Sequence, residues 1–449
     1  MNATGHADPG AAAAAADHGE RARLWLGADA DTLDRGAGLA HLARGRALLA
    51  ELPVVGRRNP DSATLAQQLC ATLRDRLDPF VNVHAPTMYR ELTGSGRLRL
   101  NNLIDRASDA YPGLLPGPAA RANDLEVPPA ERDFVDIDLG LFLRGVLRDA
   151  EAGNHLLDTS REPTNASLAA AATLERTGEL RLGTVHVERI DSVGHVSLAN
   201  VHTLNAEDNA LMADLELAVD AVMLAPSTRA GVLRGAVMRH PRYAGRRIFS
   251  AGINLKHLAA GRISFLDFLI ERELGLLSKM VRGLAGPRGS APTPWVAVVD
   301  GFAIGGGMQI VLAADHVIAA DDAWFSLPAA QEGIVPGTAN LRLARVAGTR
   351  IARSMVLRGT RVAATDPDAR PFCDEVVGVD DLTRRAQQVA TELSAPAVVP
   401  NKLMLALAEE PQDTFRRYAA EFCVVQAVRM YSPDVLEKVG AFAQRNNPT

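Results

Sequence analysis

Apolar positions from residue 21 to residue 178 recur at helical spacing. Leu65, Leu69, Leu73 and Leu77 return every four residues, Asp61 or Ser62 stands where a helix start would be capped, and Pro79 is expected to end the run. Such a stripe reads as a buried face, not a site. Asn165 to Arg176 carries another helical pattern closed by Gly178, where the chain is expected to change domain. The period then shortens. Arg181 to Arg189 and His195 to Leu198 read as short strands joined by Asp191-Ser192-Val193-Gly194, a hairpin signal. Beyond them come a helical segment from Ala206 to Val222, a strand from Gly231 to Met238 and a glycine turn from Ser250 to Leu255. A helix and a Pro/Gly linker from Gly286 to Pro294 follow, an alternation that predicts βαβ units. The strand Trp295 to Val299 runs into Gly301-Phe302-Ala303-Ile304-Gly305-Gly306-Gly307 and the apolar Met308 to Ala314, and Pro400 to Gln444 reads largely helical. Four segments are expected: a mobile tail over 1–20, a helical domain over 21–178, an α/β core over 179–390 and a helical C-terminal segment over 391–449.

With 449 residues, 47% of them hydrophobic, the chain can bury more than one core. Its 48 basic and 53 acidic residues are interspersed and sum to −5, so no broad positive field exists to attract nucleic acid or an anionic membrane. Only Lys256, Lys279, Lys402 and Lys438 are lysines, so arginine clusters count for less than usual as binding signals. Cys70, Cys373 and Cys423 are far apart in apolar surroundings, which argues for buried thiols in a reducing compartment and against a disulfide framework. The alanine run from Ala11 to Ala16 has no basic stretch before it, unlike a signal peptide. Gly301 to Ala314, the longest apolar stretch, is too short for a bilayer and is flanked by Asp300 and Asp315. The expectation is a soluble, cytoplasmic protein.

Three glycines in a row between a strand and an apolar helix let backbone approach a ligand, and the N–H groups of a helix start suit an oxyanion. Tight helix-on-strand packing with no ligand explains the same glycines. Neither G-x-G-x-x-G nor G-x-x-x-x-G-K-[ST] occurs, which disfavours a dinucleotide or phosphate loop. The turn Phe249 to Leu255, after its own strand, could supply a second N–H, and two backbone donors make an oxyanion hole. The histidines are scattered without His-x-x-x-His or Cys-x-x-Cys spacing, so no metal centre is expected. No G-x-S-x-G elbow surrounds Ser250, which disfavours a serine hydrolase.

The paired turns Ser250-Ala251-Gly252-Ile253-Asn254-Leu255 and Gly301 to Gly307 resemble those of the crotonase (enoyl-CoA hydratase/isomerase) superfamily. Leu204-Asn205-Ala206, Phe325-Ser326-Leu327-Pro328 and Gly333-Ile334-Val335-Pro336-Gly337 extend the resemblance over residues 181–390. It implies a crotonase-like ββα spiral core of the α/β class, with an added N-terminal helical domain and C-terminal helices. It further implies a coenzyme A thioester whose oxygen is held by the N–H groups of Ile253 and Gly306, with Lys256 among the substrate contacts. In the hydratases one glutamate lies three residues after the central glycine and another directly follows the proline of F-x-x-P. Gln309 and Ala329 stand there in this chain, and neither can activate water or shuttle a proton. Hydration and double-bond isomerisation are thereby disfavoured.

Leu204 to Asn209, Ser250 to Lys256, Arg272-Glu273-Leu274-Gly275 and Ser326 to Ala330 resemble the cofactor-independent dioxygenase branch of the superfamily. That branch serves the dihydroxyphenylglycine pathway of glycopeptide-antibiotic biosynthesis and acts on 3,5-dihydroxyphenylacetyl-CoA; the linker from Gly286 to Pro294 is shorter here. The resemblance implies that Glu207, Arg272 and Gln309 are polar active-site residues and that O2 and an aryl-acetyl-CoA are substrates. It also implies that no metal or flavin takes part, and that the chain forms a homo-oligomer, trimer or hexamer, through C-terminal helices. Read alone, Glu207 could be an acidic first-turn residue of the helix from Ala206, and Arg272 a solvated helix charge paired with its neighbours. Gln309 on an apolar helix needs a hydrogen-bond partner under either reading. One rival is another acyl-CoA enzyme of the superfamily such as a thioester hydrolase, which would turn over without consuming oxygen. Another is a non-catalytic binding protein of the same fold adapted to RNA, against which the acidic net charge counts. No pattern in the chain marks the group that removes the α-proton.

Overall fold

The computed structural model describes residues 9–438 and divides into two compact units between Ala152 and Gly153. The first is helical: α1 (Pro9–Leu26), α2 (Arg35–Ala50), α3 (Pro60–Thr93), α4 (Leu100–Ala110), α5 (Pro118–Leu125) and α6 (Val135–Arg148). The alanine run expected within a mobile tail is helical from Pro9 onward, since alanine is the strongest helix former. Trp25 anchors that helix, stacking on His41 with ring centroids 5.0 Å apart and donating Nε1–H to the His41 carbonyl at 3.0 Å. Residues 1–8 of the expected tail lie outside the described residues.

Helix α3 is capped by Asn59, not by Asp61 or Ser62, and its Oδ1 accepts the Ser62 N–H at 2.9 Å. It does not stop at Pro79 but runs on through Pro86 to Thr93. Leu69, Leu73, Leu77, Phe80 and Val81 bury one continuous face of α3, which packs on α6. Burial of that face, at about 25 cal/mol per Å2 of apolar surface, outweighs the backbone hydrogen bonds that the prolines remove. Asp138 of α6 pins the unit by accepting Arg46 and Arg74 at 3.0 and 2.8 Å.

The second unit carries α7 (Ala150–Ser160), which begins just before the division, and α8 (Asn165–Thr177), closed as expected by left-handed Gly178. Then come β1 (Glu179–Arg181), β2 (Val185–Ile190), β3 (Val193–Leu198), α9 (Asn209–Leu224), β4 (Ala230–Gly235) and α10 (Leu255–Ala259). A helix over 265–282 is wound as π-helix at Phe265–Ile270 and Arg272–Leu277 and ends as α11 (Ser278–Arg282). Next are β5 (Trp295–Val299), β6 (Phe302–Ile304), α12 (Gly306–Val311), β7 (His316–Ala320), β8 (Trp324–Ser326) and α13 (Ala329–Glu332). The chain continues through α14 (Ala339–Val346), α15 (Gly348–Arg358), β9 (Val362–Ala363), β10 (Glu375–Val377), α16 (Leu382–Leu393), α17 (Val398–Glu409) and α18 (Gln412–Met430). Helix α8 packs on α9 and β1 and so belongs with the second unit, which begins at Gly153.

A seven-stranded sheet has the order β1-β2-β3-β4-β5-β7-β10, antiparallel through β3 and parallel beyond, and a three-stranded sheet has the order β6-β8-β9. All five residues of β5 are buried between parallel neighbours, which is why that strand reads as an unbroken apolar run. Helix α9 packs on β2 and β3, and α16 packs on β3, β4, β5 and β7. Cys70, Cys373 and Cys423 are free and buried, and burial pushes each thiol up to about 12. Helix α17 is held by buried Lys402, whose Nζ donates to the carbonyls of Met280 and Thr293 at 2.7 and 2.8 Å and to Asp315 at 2.6 Å. The same helix exposes Leu403, Met404, Leu405 and Leu407. Among the described residues no helix is long and apolar enough to cross a membrane.

Candidate active site

Two loops of the second unit meet through backbone pairing. Leu204 and Asn205 adopt left-handed backbone, φ 60° and 53°. Asparagine tolerates that conformation, and its Nδ2 donates to the carbonyls of Ile248 and Phe249 at 2.9 and 3.2 Å. Ser250 Oγ donates to the Asn205 carbonyl at 3.0 Å and accepts the Gly252 N–H at 3.1 Å. These motif residues build the first turn. Ser250 N–H donates to Phe302 O at 3.2 Å and Ile304 N–H to Ser250 O at 3.0 Å, which stitches the first turn to the strand entering the second. Gly252 has φ 78°, and a Cβ there would come within 2.8 Å of the Ile304 carbonyl, so only glycine lets the turns abut.

Glu207 N–H donates to Gly252 O at 2.7 Å and Asn254 N–H to Glu207 O at 2.8 Å, a short parallel bridge that leaves the Ile253 N–H pointing away. Glu207 is therefore not a first-turn residue of α9. It sits in extended backbone one residue before the cap Asp208, whose Oδ1 accepts the Leu211 N–H at 3.1 Å. Among the described residues neither the Ile253 N–H nor the Gly306 N–H has an acceptor, and both residues line one pocket. Two donors placed this way can hold an oxyanion.

The polar side chains of that pocket converge on Arg272, which is 4% exposed, so the surface reading of this residue fails. It opens the second π-helical stretch, where the i, i+4 neighbourhood of an ordinary helix is lost. Its Nη1 donates to Glu273 Oε1 at 2.9 Å and Gln309 Oε1 at 2.7 Å, and its Nη2 donates to Gly306 O at 2.8 Å and pairs with Glu207 Oε2 at 3.1 Å. Glu207 lies so close to the second turn that a Cβ on Gly306 would meet its Oε2 at 1.9 Å. Burial pushes the Glu207 carboxyl up against the pull of Arg272. Burial pulls the Arg272 guanidinium down, but Glu207 and Glu273 outweigh it and hold the group above its ordinary value.

Sequence reasoning passed over two carboxylates of the site. Glu273, 3% exposed, accepts the Thr338 N–H and hydroxyl at 2.8 and 2.6 Å and so fastens the loop Gly333 to Gly337 over the pocket. Helix α18 braces the same loop: Gln426 accepts the Val335 N–H at 3.0 Å, Arg429 donates to Gly333 O at 2.7 Å, and Phe422 lines the pocket. Glu332, the last residue of α13, also lines it, and burial alone pushes its carboxyl up to about 7. The signal for Glu332 was its place one helical turn after Ala329; the signal for Glu273 was its place beside Arg272. Lys256 is exposed on α10 just beyond the first turn and is not part of the lining. Among the described residues no cluster of His, Cys, Asp or Glu has the makings of a metal site.

A profile of the enoyl-CoA hydratase/isomerase family matches residues 188–429. The chain is 46% identical over 429 residues to the (3,5-dihydroxyphenyl)acetyl-CoA 1,2-dioxygenase of Amycolatopsis orientalis, covering 92% of this chain and 98% of that one. A match of that length takes in most of the first unit as well as the second. Carnitinyl-CoA dehydratase of Escherichia coli K12 is 30% identical over 229 residues, covering 50% of this chain and 81% of the dehydratase. A crystal structure of an enoyl-CoA hydratase from Mycobacterium avium subsp. paratuberculosis K-10 aligns at 23% identity and TM-score 0.49, covering 58% of this chain and 99% of that one. By the family profile over more than half its length, and by a relative matched nearly end to end, the chain belongs to the enoyl-CoA hydratase/isomerase family, the crotonase superfamily.

Proposed function

We propose that the protein is a cofactor-independent dioxygenase that converts 3,5-dihydroxyphenylacetyl-CoA and O2 into 3,5-dihydroxyphenylglyoxylate and free coenzyme A. The observation that carries this reading is the 46% identity, over 92% of the chain, to a dioxygenase named for that thioester. Gln309 and Ala329 support it, because the pocket lacks the two carboxylates with which hydratases of the family work. The N–H groups of Ile253 and Gly306 hold the thioester oxygen as negative charge develops on it. The resulting enolate is conjugated to a dihydroxylated ring and is electron-rich enough to reduce dioxygen itself. A peroxide formed at the α-carbon attacks the thioester carbonyl and expels the thiolate; cleavage of the O–O bond with loss of the remaining α-proton leaves one oxygen atom at each carbon. Glu207, held by Arg272, receives a ring hydroxyl, and Gln309 keeps Arg272 in place without adding charge. Phe268, Leu269, Leu327 and Phe422 keep water from the enolate. Lys256, exposed beside the first turn, is offered to the coenzyme A moiety.

The wider setting follows the same resemblance: a cytoplasmic enzyme of the dihydroxyphenylglycine pathway of antibiotic assembly. It acts as a homo-oligomer, trimer or hexamer, that covers the apolar side chains exposed on α17. The deciding experiment follows dissolved oxygen and free thiol together on the dihydroxyphenylacetyl thioester, with chelator present. One O2 consumed per coenzyme A released, with label from 18O2 in both new positions of the acid, is the expected result. Thiol release without oxygen uptake would make the protein a thioester hydrolase. Activity lost to chelator and restored by iron or copper would end the cofactor-independent reading.

A further inference from the structure

We propose that Glu332 is the general base that takes the α-proton from the acyl thioester. The assignment deepens the enolate chemistry just described and rests on it. Three carboxylates line the pocket. Glu207 is committed to Arg272 at 3.1 Å, and Glu273 to Arg272 at 2.9 Å and to Thr338 at 2.8 and 2.6 Å. A base needs a carboxylate oxygen open to the proton it removes; Glu207 is set by Arg272 to receive the ring hydroxyl, and Glu273 is taken up by Arg272 and Thr338. Glu332 is different: among the described residues no cation and no hydrogen-bond donor meets its carboxylate.

Local geometry explains how that carboxylate comes to face the pocket. Helix α13 is one turn long, so Glu332 lies on the same face as Ala329, three residues earlier. The side chain at 329 is a methyl group, which leaves the longer carboxylate a clear path. Gly333, left-handed at φ 87°, ends the turn directly after it. Leu327, Ile334 and Phe422 supply apolar surroundings. The charged groups on elements around it are otherwise engaged or on the outer side. Arg429 bonds Gly333 O and Asp434, both at 2.7 Å, while Arg350, Arg353 and Arg358 of α15, which packs on α13, are exposed. A carboxyl lifted to about 7 by burial is a stronger base than an ordinary glutamate and is still half ionised at neutral pH. In the step itself the α C–H bond breaks and its electron pair forms the C=C bond of the enolate. The carbonyl π pair moves onto the oxygen held by Ile253 and Gly306, and the proton ends on Glu332.

The test separates proton transfer from oxygen chemistry. Without oxygen and in D2O, exchange of the α-hydrogens of the dihydroxyphenylacetyl thioester is followed by NMR for wild type, Glu332→Gln and Glu332→Asp. Exchange is expected to fall by about 100- to 10,000-fold in Glu332→Gln and to return in part in Glu332→Asp. The wild-type rate should rise with pH to a plateau with its midpoint near 7, and that limb should be missing in Glu332→Gln. A benzoyl thioester, which has no α-hydrogen, should bind wild type and both variants alike, which shows an intact site. Exchange in Glu332→Gln at the wild-type rate would overturn the assignment. So would parallel loss of benzoyl binding and exchange in both variants, the mark of a structural role. A wild type that exchanges the α-hydrogens but consumes no oxygen would instead sink the dioxygenase reading and leave the base in place.

Discussion

Arg272 satisfies four partners at once: two carboxylates, an amide oxygen and a backbone carbonyl. Replacing it by alanine strands Glu207 and Glu273, 1% and 3% exposed, without a cation. Breaking a buried pair this way costs about 3 to 5 kcal/mol, so Arg272→Ala should lose stability of that order in a urea titration. Lysine keeps the charge but not the planar fork, and Arg272→Lys should recover only part. On activity, Arg272→Ala should hurt turnover of the dihydroxyphenylacetyl thioester far more than that of the plain phenylacetyl compound, because Glu207 would no longer be set to receive a ring hydroxyl. Equal losses on both would reassign Arg272 to holding the Gly306 turn. Gln309→Glu would put a third carboxylate around the one guanidinium. It should slow the native reaction and still hydrate an enoyl thioester at least about 100-fold below a true hydratase, since Ala329 supplies no second carboxylate. Hydration at ordinary hydratase rates would show that the neutral pair does not decide the chemistry.

The turn entering α12 allows a cleaner separation of roles than either side chain does. Gly306→Ala keeps the backbone N–H that faces the pocket but places a methyl where Glu207 Oε2 now lies, at 1.9 Å. Its expected signature is a kcat/KM loss of at least about 100-fold with a far smaller change in melting temperature; unchanged kinetics would mean that Glu207 is not needed where it stands. That turn and β5 were legible in the chain because glycine spacing and an all-apolar strand are local signals. The course of α3 was not. Pro79 is a local stop signal, and only the long-range packing of Leu73, Leu77 and Phe80 on α6 overrides it. Residues 9–20, read as tail, are helical for a related reason, since Trp25 of the same helix finds its partner His41 in the next one. Arg272 looked like surface because a π-helical stretch cannot be read from a 3.6-residue period. Glu332 was hidden more thoroughly: one acidic residue in a short turn announces nothing until Ala329, Ile334 and Phe422 are seen around the same space.

For the molecule as a whole, the Glu332 carboxyl links catalysis to stability with a definite sign. Its value in the fold, about 7, lies above the ordinary 4.5, so the native state binds the proton more tightly than the unfolded chain. The stabilisation is fully present below about pH 4.5 and is lost as pH rises through 7, amounting to on the order of 3 kcal/mol. Glu332→Gln should therefore be more stable than wild type at pH 8 and lose most of that advantage by pH 5, as paired urea titrations would show. Asp220, raised by burial to about 6 and bonded to Lys279, shifts stability in the same direction in both proteins and cancels from the comparison. A variant no more stable at pH 8 would mean that the carboxylate is not strained by the fold. The scarcity of lysine has a consequence at the same scale. Lys279 is 0% exposed against Glu216 and Asp220, Lys402 is 6% exposed against Asp315, and Lys256 and Lys438 lie on the surface. An amine-directed reagent therefore meets two lysines in the folded enzyme and the other two only when the unit that carries the pocket comes apart. Two peptides in a mass spectrum thus time the opening of the catalytic half, with the outer pair as internal clocks and with no label engineered into the chain.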